Sequence, residues 1–506
     1  MALLPITAAR VNALFAGPLR QGLEEMLRRN RQPLWLVGGT VRDLLLGRPP
    51  ADIDVSVVKG ARQWARELAG LSGGTFVQLG REEDAARVAL AGLNIDVAAL
   101  RKGAPTIESE LALRDLSINA LALRVDELLT GTFPVADDTP LVPVDAVGGM
   151  ADLEAGLIRM AGPLSFQHDP LRMVRVFRFG ACLGFRIDAA TLAAVSHERQ
   201  RLADIAAERV GYEMHQLMAS DSAWPMIRAM ADSGLLTEVI PELSRAVGME
   251  QPPSHHLDVF EHSLEALRQV ELMLCQGRPL GRACEPWVRQ WLQVADNRRL
   301  LKWATLLHDI GKPETHDIRG EEQRITFHRH DLAGAALFSS MARRLRWSRN
   351  DSDRLATFIS GHMRPFHLTN VARKEELSTR ACIRLLRTFA DDLPGLLLLA
   401  MADARAGKGP GRPEAMETEL IALSTRLYEV REELVLPVKK APPLLTGHDL
   451  RAVFDLKPGP RFGCLLEEVE EQRMEGRITC REEALAVVRR LLEETGEINT
   501  SRGRQG

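Results

Sequence analysis

Cysteine is scarce: six residues are scattered over 506, and no two stand at CxxC spacing. That excludes a zinc ribbon, argues against a disulfide framework and fits a reducing compartment. An excess of positive charge is missing too. The chain carries 65 Lys and Arg against 68 Asp and Glu, a net charge of −3. A uniformly basic coat for nucleic acid is therefore excluded, and any polyanion site must be a local patch. No apolar run approaches the ~20 residues of a membrane helix; the longest, Leu396 to Ala402, is far shorter. No Lys or Arg precedes the first apolar stretch, which reads poorly as a signal peptide. Internal repeats and low-complexity tracts are also lacking. A cytoplasmic protein with no membrane partner is expected.

What remains is ordinary globular composition, 45% hydrophobic and 26% charged, and a length that suggests roughly three or four domains. Short apolar runs at Leu34–Gly39, Asp52–Val58, ARVALAG and Asn94–Leu100 read as strands, with an amphipathic helix over Ala61–Leu71 between them. From about Leu157 strand signals nearly vanish and helical spacing runs to the end. Gly277–Pro286, Gly407–Pro413 and Leu436–Pro443 read as loops or linkers. The fold class is α+β, a mixed α/β head followed by an all-helical body.

The head carries acids in a telling pattern. In an extended segment Asp52 and Asp54 of DID project on one face, because side chains alternate with period two. Two carboxylates sharing a space repel unless a cation lies between them, and Mg²⁺ takes one or two carboxylates plus substrate phosphates. Asp96, in NIDVAAL, would add a third on a neighbouring strand. Three carboxylates suit two metals, one activating a hydroxyl and one holding a leaving triphosphate. Upstream, Gly38 and Gly39 end a strand and open a helix over Val41–Leu46, where backbone amides would meet phosphate oxygens and Arg42 would add charge-assisted contacts.

The motifs run GGTVRD (Gly38–Asp43), DID, RDLSINA (Arg114–Ala120), DAVGG (Asp145–Gly149), HDPLR (His168–Arg172) and ERVGYE (Glu208–Glu213). In this order they resemble the nucleotidyltransferase family of bacterial tRNA CCA-adding enzymes and poly(A) polymerases. His168 stands where the family has Glu, and Ala146–Val147 where it has Pro-Phe. The resemblance implies that Asp52 and Asp54 bind catalytic Mg²⁺, with Asp96 beside them. It also implies that Arg114, Asp115 and Asn119 contact the nucleotide's phosphates and ribose.

HDPLR places Asp169 and Arg172 at i, i+3 on a first helical turn, with Pro170 at its start. A carboxylate beside a guanidinium sets an acceptor next to a donor fork, which matches the amino and ring-nitrogen edge of cytosine and adenine and rejects uracil and guanine. The family uses this position so, and Arg175 and Arg209 join the nucleotide site. Arg159–Arg186, with five arginines and one acid, and ARRLRWSR (Ala342–Arg349) are the best places for RNA backbone.

In the helical body His262, His308–Asp309, His330, His362 and Asp403 stand in the order H…HD…H…H…D. Imidazoles and carboxylates on converging helices suit a divalent transition metal or Mg²⁺. HDIGKP resembles the HD phosphohydrolase superfamily. His255 and His256 read as structural, and Pro443–Leu492 as an amphipathic tail resembling the family's RNA-binding C-terminal region. The expected domains are a nucleotidyltransferase head (1–155), a helical neck with base template and RNA contacts (156–250), an HD metal domain (251–410) and a helical tail (411–506). The expected function is template-independent addition of C and A to the 3′ end of tRNA from CTP and ATP by two-metal phosphoryl transfer. Poly(A) polymerase, or an enzyme adding only CC or only A, is the alternative within the class. The twelve residues between Arg101 and Arg114, shorter than in some family members, leave partial addition open. An HD-type metal phosphohydrolase is the alternative of another class.

Overall fold

The computed structural model describes residues 2–30, 32–80, 84–132, 135–321 and 323–494, with Lys102 by its backbone alone. The chain divides into two compact units, Met1–Pro241 and Glu242–Gly506.

The first unit is built on a seven-stranded sheet. Its strands are β1 (Leu34–Val37), β2 (Ile53–Val57), β3 (Thr75–Gln78), β4 (Ala85–Leu90), β5 (Leu93–Ala99), β6 (Leu121–Arg124) and β7 (Val144–Asp145), in spatial order β3-β4-β5-β2-β1-β6-β7. Every neighbouring pair is antiparallel except β2 and β5. Alternation in β2 buries Ile53, Val55 and Val57 and leaves Asp54 on the other face. Helix α2 (Ala61–Ser72) brings Trp64, Ala65 and Leu68 into the core.

The turn from β1 into α1 (Gly39–Leu45) requires its glycine. Gly38 has φ 61° and ψ −127°, a region essentially closed to side chains. A Cβ there would stand 2.7 Å from Arg114 Nη1. Gly38→Ala is expected to cost roughly 1–3 kcal/mol, read as a lower melting temperature.

Three strands were not expected from sequence. β3 is a short edge strand with three of its four residues exposed, β6 is buried at three of four positions and β7 has two residues, so none shows a sustained alternation. The all-helical expectation beyond Leu157 also needs correction. Leu157–Ile158 pairs with Arg186–Ile187, and His316–Arg319 forms a hairpin with Arg324–Phe327. The hairpin's first strand is exposed throughout, so burial left no period in its sequence. Two helices complete what the site needs here, α3 (Leu171–Leu183) and α4 (Ala207–Ala219).

The second unit is dominated by helices α5 (Val259–Gln276), α6 (Ala295–Leu307), α7 (His330–Arg344), α8 (Arg349–Gly361) and α9 (Leu393–Ala406). α9 is buried on all sides from Leu393 to Ala402, which explains its unbroken apolar run. Gly395 permits close packing there, since a Cβ would lie 2.5 Å from the Trp291 ring. Leu436–Lys440, expected as a break, is helical and continues the helix Met416–Val430 through a π-type turn at Arg431–Val435. Pro437 is tolerated because it falls in that segment's first turn. Beyond it Leu445, Leu450, Leu465, Val469, Val488 and Leu492 form a small core. Among the described residues no helix is long and apolar enough to cross a membrane.

Candidate active site and metal centre

Strand register gathers the acids of the head. Asp54 on β2 lies opposite Asp96 on β5, and directly opposed residues share a face. Asp52 closes the group: Asn94 Nδ2 donates to its Oδ1 at 3.1 Å. Thr40 Oγ1 braces the segment, accepting from the Asp54 N–H at 2.7 Å and donating to the Asp52 carbonyl at 3.3 Å. The Asp54 carboxylate overhangs the Gly–Gly turn, with its Oδ2 3.3 Å from where a Cβ on Gly39 would be. Burial pushes the Asp54 carboxyl up to about 6, against the pull of Arg114 and Arg42 and with the repulsion of Asp96 and Asp52. A carboxyl so raised fits a cation that would relieve it. The three acids are nevertheless not equivalent. Asp96 gives both oxygens to Arg87, and among the described residues the three acids do not close around one point.

Because a bound cation must displace the proton from Asp54, apparent Mg²⁺ affinity is expected to fall about tenfold per pH unit below 6. Titration calorimetry between pH 5 and 8 checks it; a flat profile would show that Asp54 does not bind the ion.

Around the acids lies a network of paired arginines. Arg42 Nη1 donates to Asn119 Oδ1 at 2.7 Å, and Arg114 Nε to Glu110 Oε2 at 3.0 Å. Arg175 meets Asp115 at 2.6 Å and Glu213 at 3.2 Å, and Arg178 meets Glu213 at 2.9 Å. Burial alone would raise the Asp115 carboxyl, but Arg175 and the Leu116 N–H hold it well below the usual carboxylate range. Arg42, Arg175 and Arg178 surround the Phe179 ring at 5.1, 5.3 and 4.0 Å, a cation–π arrangement that keeps charge beside an apolar wall. Glu110, Asn94, Arg87 and Phe179 were missed in the sequence, since each enters the site only through register or packing.

Asp169 and Arg172, expected to face a base together, are not bonded to each other among the described residues. Asp169 sits in extended conformation ahead of α3 and accepts from Arg209 Nη2 at 3.0 Å. Arg172 is buried and donates to the carbonyls of Arg114 and Leu113 at 3.0 and 2.9 Å. Asp169 stands ahead of the helix rather than on its first turn. The arginines of 159–186 are likewise no open basic stripe: Arg159 pairs with Asp152, and Arg175 and Arg178 with acids distant in sequence. In the second basic knot Arg344 pairs with Glu242.

The second unit brings together all six expected HD ligands. His262 Nε2 lies 3.0 Å from Asp403 Oδ1, His308 Nε2 3.2 Å from Asp309 Oδ2, and His330 and His362 face Asp309 Oδ1 at 3.4 and 3.7 Å. Three imidazoles are aimed the same way. Nδ1 of His308, His330 and His362 lies 2.8, 2.8 and 2.7 Å from the carbonyls of Thr305, Phe327 and Ile359. With Nδ1 donating, each Nε2 points to the centre and offers a lone pair there once deprotonated. Nε2 of His330 and His362 then confront each other at 3.0 Å, and the buried His308 Nε2 has no hydrogen-bond partner. Burial, with His330 and His308 nearby, pushes His362 down to about 3, so a proton is a poor bridge. Burial also acts to lower His308, but Asp309 and Asp403 outweigh it and hold it at about 8. This donor set fits a divalent metal. His255, read as structural, lies with its ligand atom within 4.8 Å of those of His262 and Asp403, a group that could hold an ion. Only the fold could show this, because a loop residue carries no helical register.

A mixed sheet that sets acids against a Gly–Gly turn, continued by helices that converge histidines and aspartates, defines a nucleotidyltransferase with an HD-type body. The sequence matches the Poly A polymerase head domain over residues 34–159, the probable RNA and SrmB-binding site of polymerase A over 184–247, the HD domain over 259–395 and tRNA nucleotidyltransferase domain 2 (putative) over 426–488. It is 35% identical to an A-adding tRNA nucleotidyltransferase of Deinococcus radiodurans, covering 91% of this chain and 96% of that one. It is 30% identical to a CC-adding tRNA nucleotidyltransferase of Thermus thermophilus, covering 89% and 92%. The Thermotoga maritima CCA-adding enzyme complexed with tRNA shares the fold at a TM-score of 0.59 and 20% identity, covering 96% of this chain and 99% of that one. The chain belongs to the tRNA nucleotidyltransferase family.

Proposed function

We propose that this chain extends the 3′ end of tRNA with C and A from CTP and ATP. The observation that carries this is the meeting of Asp52, Asp54 and the Gly38–Gly39 turn beside Arg42 and Arg114. The Gly38 amide is bonded to the Leu121 carbonyl, so the amides of Gly39 and Thr40 at the start of α1 meet triphosphate oxygens, and the two arginines share the phosphate charge. Asp52 and Asp54 hold magnesium, which when bound neutralises the triphosphate and activates the attacking 3′ hydroxyl. Asp115 and Asn119 orient the ribose, and Arg175 keeps Asp115 ionised for that task. Asp169, joined to Arg209, offers the acceptor edge beside a donor fork that reads C and A, with Arg172 pinning the loop behind it. Most of the acceleration comes from positioning and charge neutralisation. The HD centre is a divalent-metal phosphohydrolase site.

A second reading, addition of A alone, is favoured by the name of the relative that is 35% identical over nearly its whole length and by the short segment between Arg101 and Arg114. One experiment separates the readings. Transcripts of tRNA ending before CCA, before the terminal A, and after CCA are incubated with Mg²⁺ and each NTP. Growth by CCA on the first supports full addition. Growth only of the second, by one residue, supports A addition. No growth with any nucleotide sinks both.

A further inference from the structure

We infer that Arg87 is the resident cation of the head's acidic cluster, and that Asp96 is a positioning residue that holds Arg87 rather than a metal ligand. This rests on the proposed magnesium site at Asp52 and Asp54.

The sheet dictates the arrangement. Arg87 on β4 is directly opposite Asp96 on β5, which is directly opposite Asp54 on β2. Opposed residues share a face, so a cation and two acids stand in a row across three strands. Arg87 Nε donates to Asp96 Oδ1 at 2.7 Å and Nη2 to Oδ2 at 2.9 Å, which occupies both oxygens of that carboxylate. The same Nη2 reaches Asp52 Oδ2 at 3.3 Å. Among the described residues no cation lies within ion-pair distance of Asp54. The three acids thus differ in kind. Asp96 is held by a two-point fork, Asp52 accepts one bond on each oxygen, from Asn94 and from Arg87, and Asp54 has no ion-pair partner among the described residues.

A two-point fork on one carboxylate is stronger and better oriented than a single shared contact. A divalent ion arriving at Asp54 and Asp52 therefore competes with Arg87 for Asp52 alone, and Asp96 keeps the guanidinium from following. Were Asp96 absent, Arg87 would be free to close fully on Asp52 and oppose the metal. Arg87 and Asp96 should act on metal affinity in opposite directions, which no merely structural ion pair would do.

The test uses the full-length protein and Mn²⁺ as probe, followed by electron paramagnetic resonance. The signal considered is the fraction of binding that Asp54→Asn removes, which leaves the HD centre out of the comparison. If Asp54→Asn removes none, the magnesium reading itself fails, before the Arg87 question arises. Given that fraction, Arg87→Met is expected to tighten binding several-fold and Asp96→Ala to weaken it several-fold. The double variant should bind at least as tightly as the parent, because no guanidinium remains to be restrained. KM for Mg²⁺ in nucleotide addition should move in the same directions as these affinities. Weakening by Arg87→Met, or a double variant as weak as Asp96→Ala, would overturn the inference and make Asp96 a ligand. Arg87→Lys, which keeps the charge and the fold but cannot fork, is expected to lie between parent and Met. Binding unchanged by all the substitutions would equally refute it.

Discussion

Asp54→Asn is expected to abolish nucleotide addition while making the protein more heat-stable. The loss should reach roughly 10³-fold or more in kcat, as for removal of a charge aligned with a transition state. The stability gain follows from the same burial that lifts the carboxyl to about 6. A carboxyl raised by folding stabilises the fold while protonated, below its unfolded value near 4. That contribution disappears as pH rises through 6, so at neutral pH the native protein carries an ionised, under-compensated acid. Asn keeps the shape without the charge. Differential scanning at pH 7.5 should show a rise in melting temperature of about 2–4 °C, which vanishes near pH 4. A variant that loses activity and also loses stability would mean that Asp54 is a structural anchor.

Asp309→Ala should do the reverse in the second unit. It removes the carboxylate shared by four imidazoles and leaves Lys312, buried and bonded to Asp309 at 2.5 Å, without its counter-ion. Breaking a buried pair from one side costs about 3–5 kcal/mol, offset in part by the Lys312 contacts to Gln251 and the Phe327 ring. Bound divalent metal measured by mass spectrometry should fall to background, together with any phosphodiesterase or phosphatase activity. Nucleotide addition, assayed at a temperature where the variant stays folded, should persist, because its acids belong to the other compact unit. Metal retained at parental stoichiometry would disprove the assignment of the centre.

The two sites were legible in the sequence to different depths. The histidines and aspartates that cluster in the second unit were legible with their order and spacing, since each lies in or next to a helix's terminal turn, where a short motif marks position. His255 escaped because its place beside His262 depends on a loop returning from Gln251 to Leu257. In the head, the DID pair and the Gly–Gly turn stood out because their geometry is local: one residue just before a strand and one within it, or one reversed turn. The bonding of Asp169 was not legible, since it lies just ahead of α3 and accepts from Arg209, a residue forty positions away.

By itself, then, the sequence determined the class of chemistry, the α+β architecture and most of the chemical groups, because alternation, helical period and glycine placement act over a few residues. Partnerships among charges were decided only by the tertiary structure. Which arginine neutralises which acid depends on strand order and register, and β4 carries Arg87 to Asp96 across an antiparallel pair that no local pattern announces. Charge is long-ranged but pairing is not: a guanidinium bonds the carboxylate that the fold places within about 3 Å, wherever that carboxylate lies in the chain.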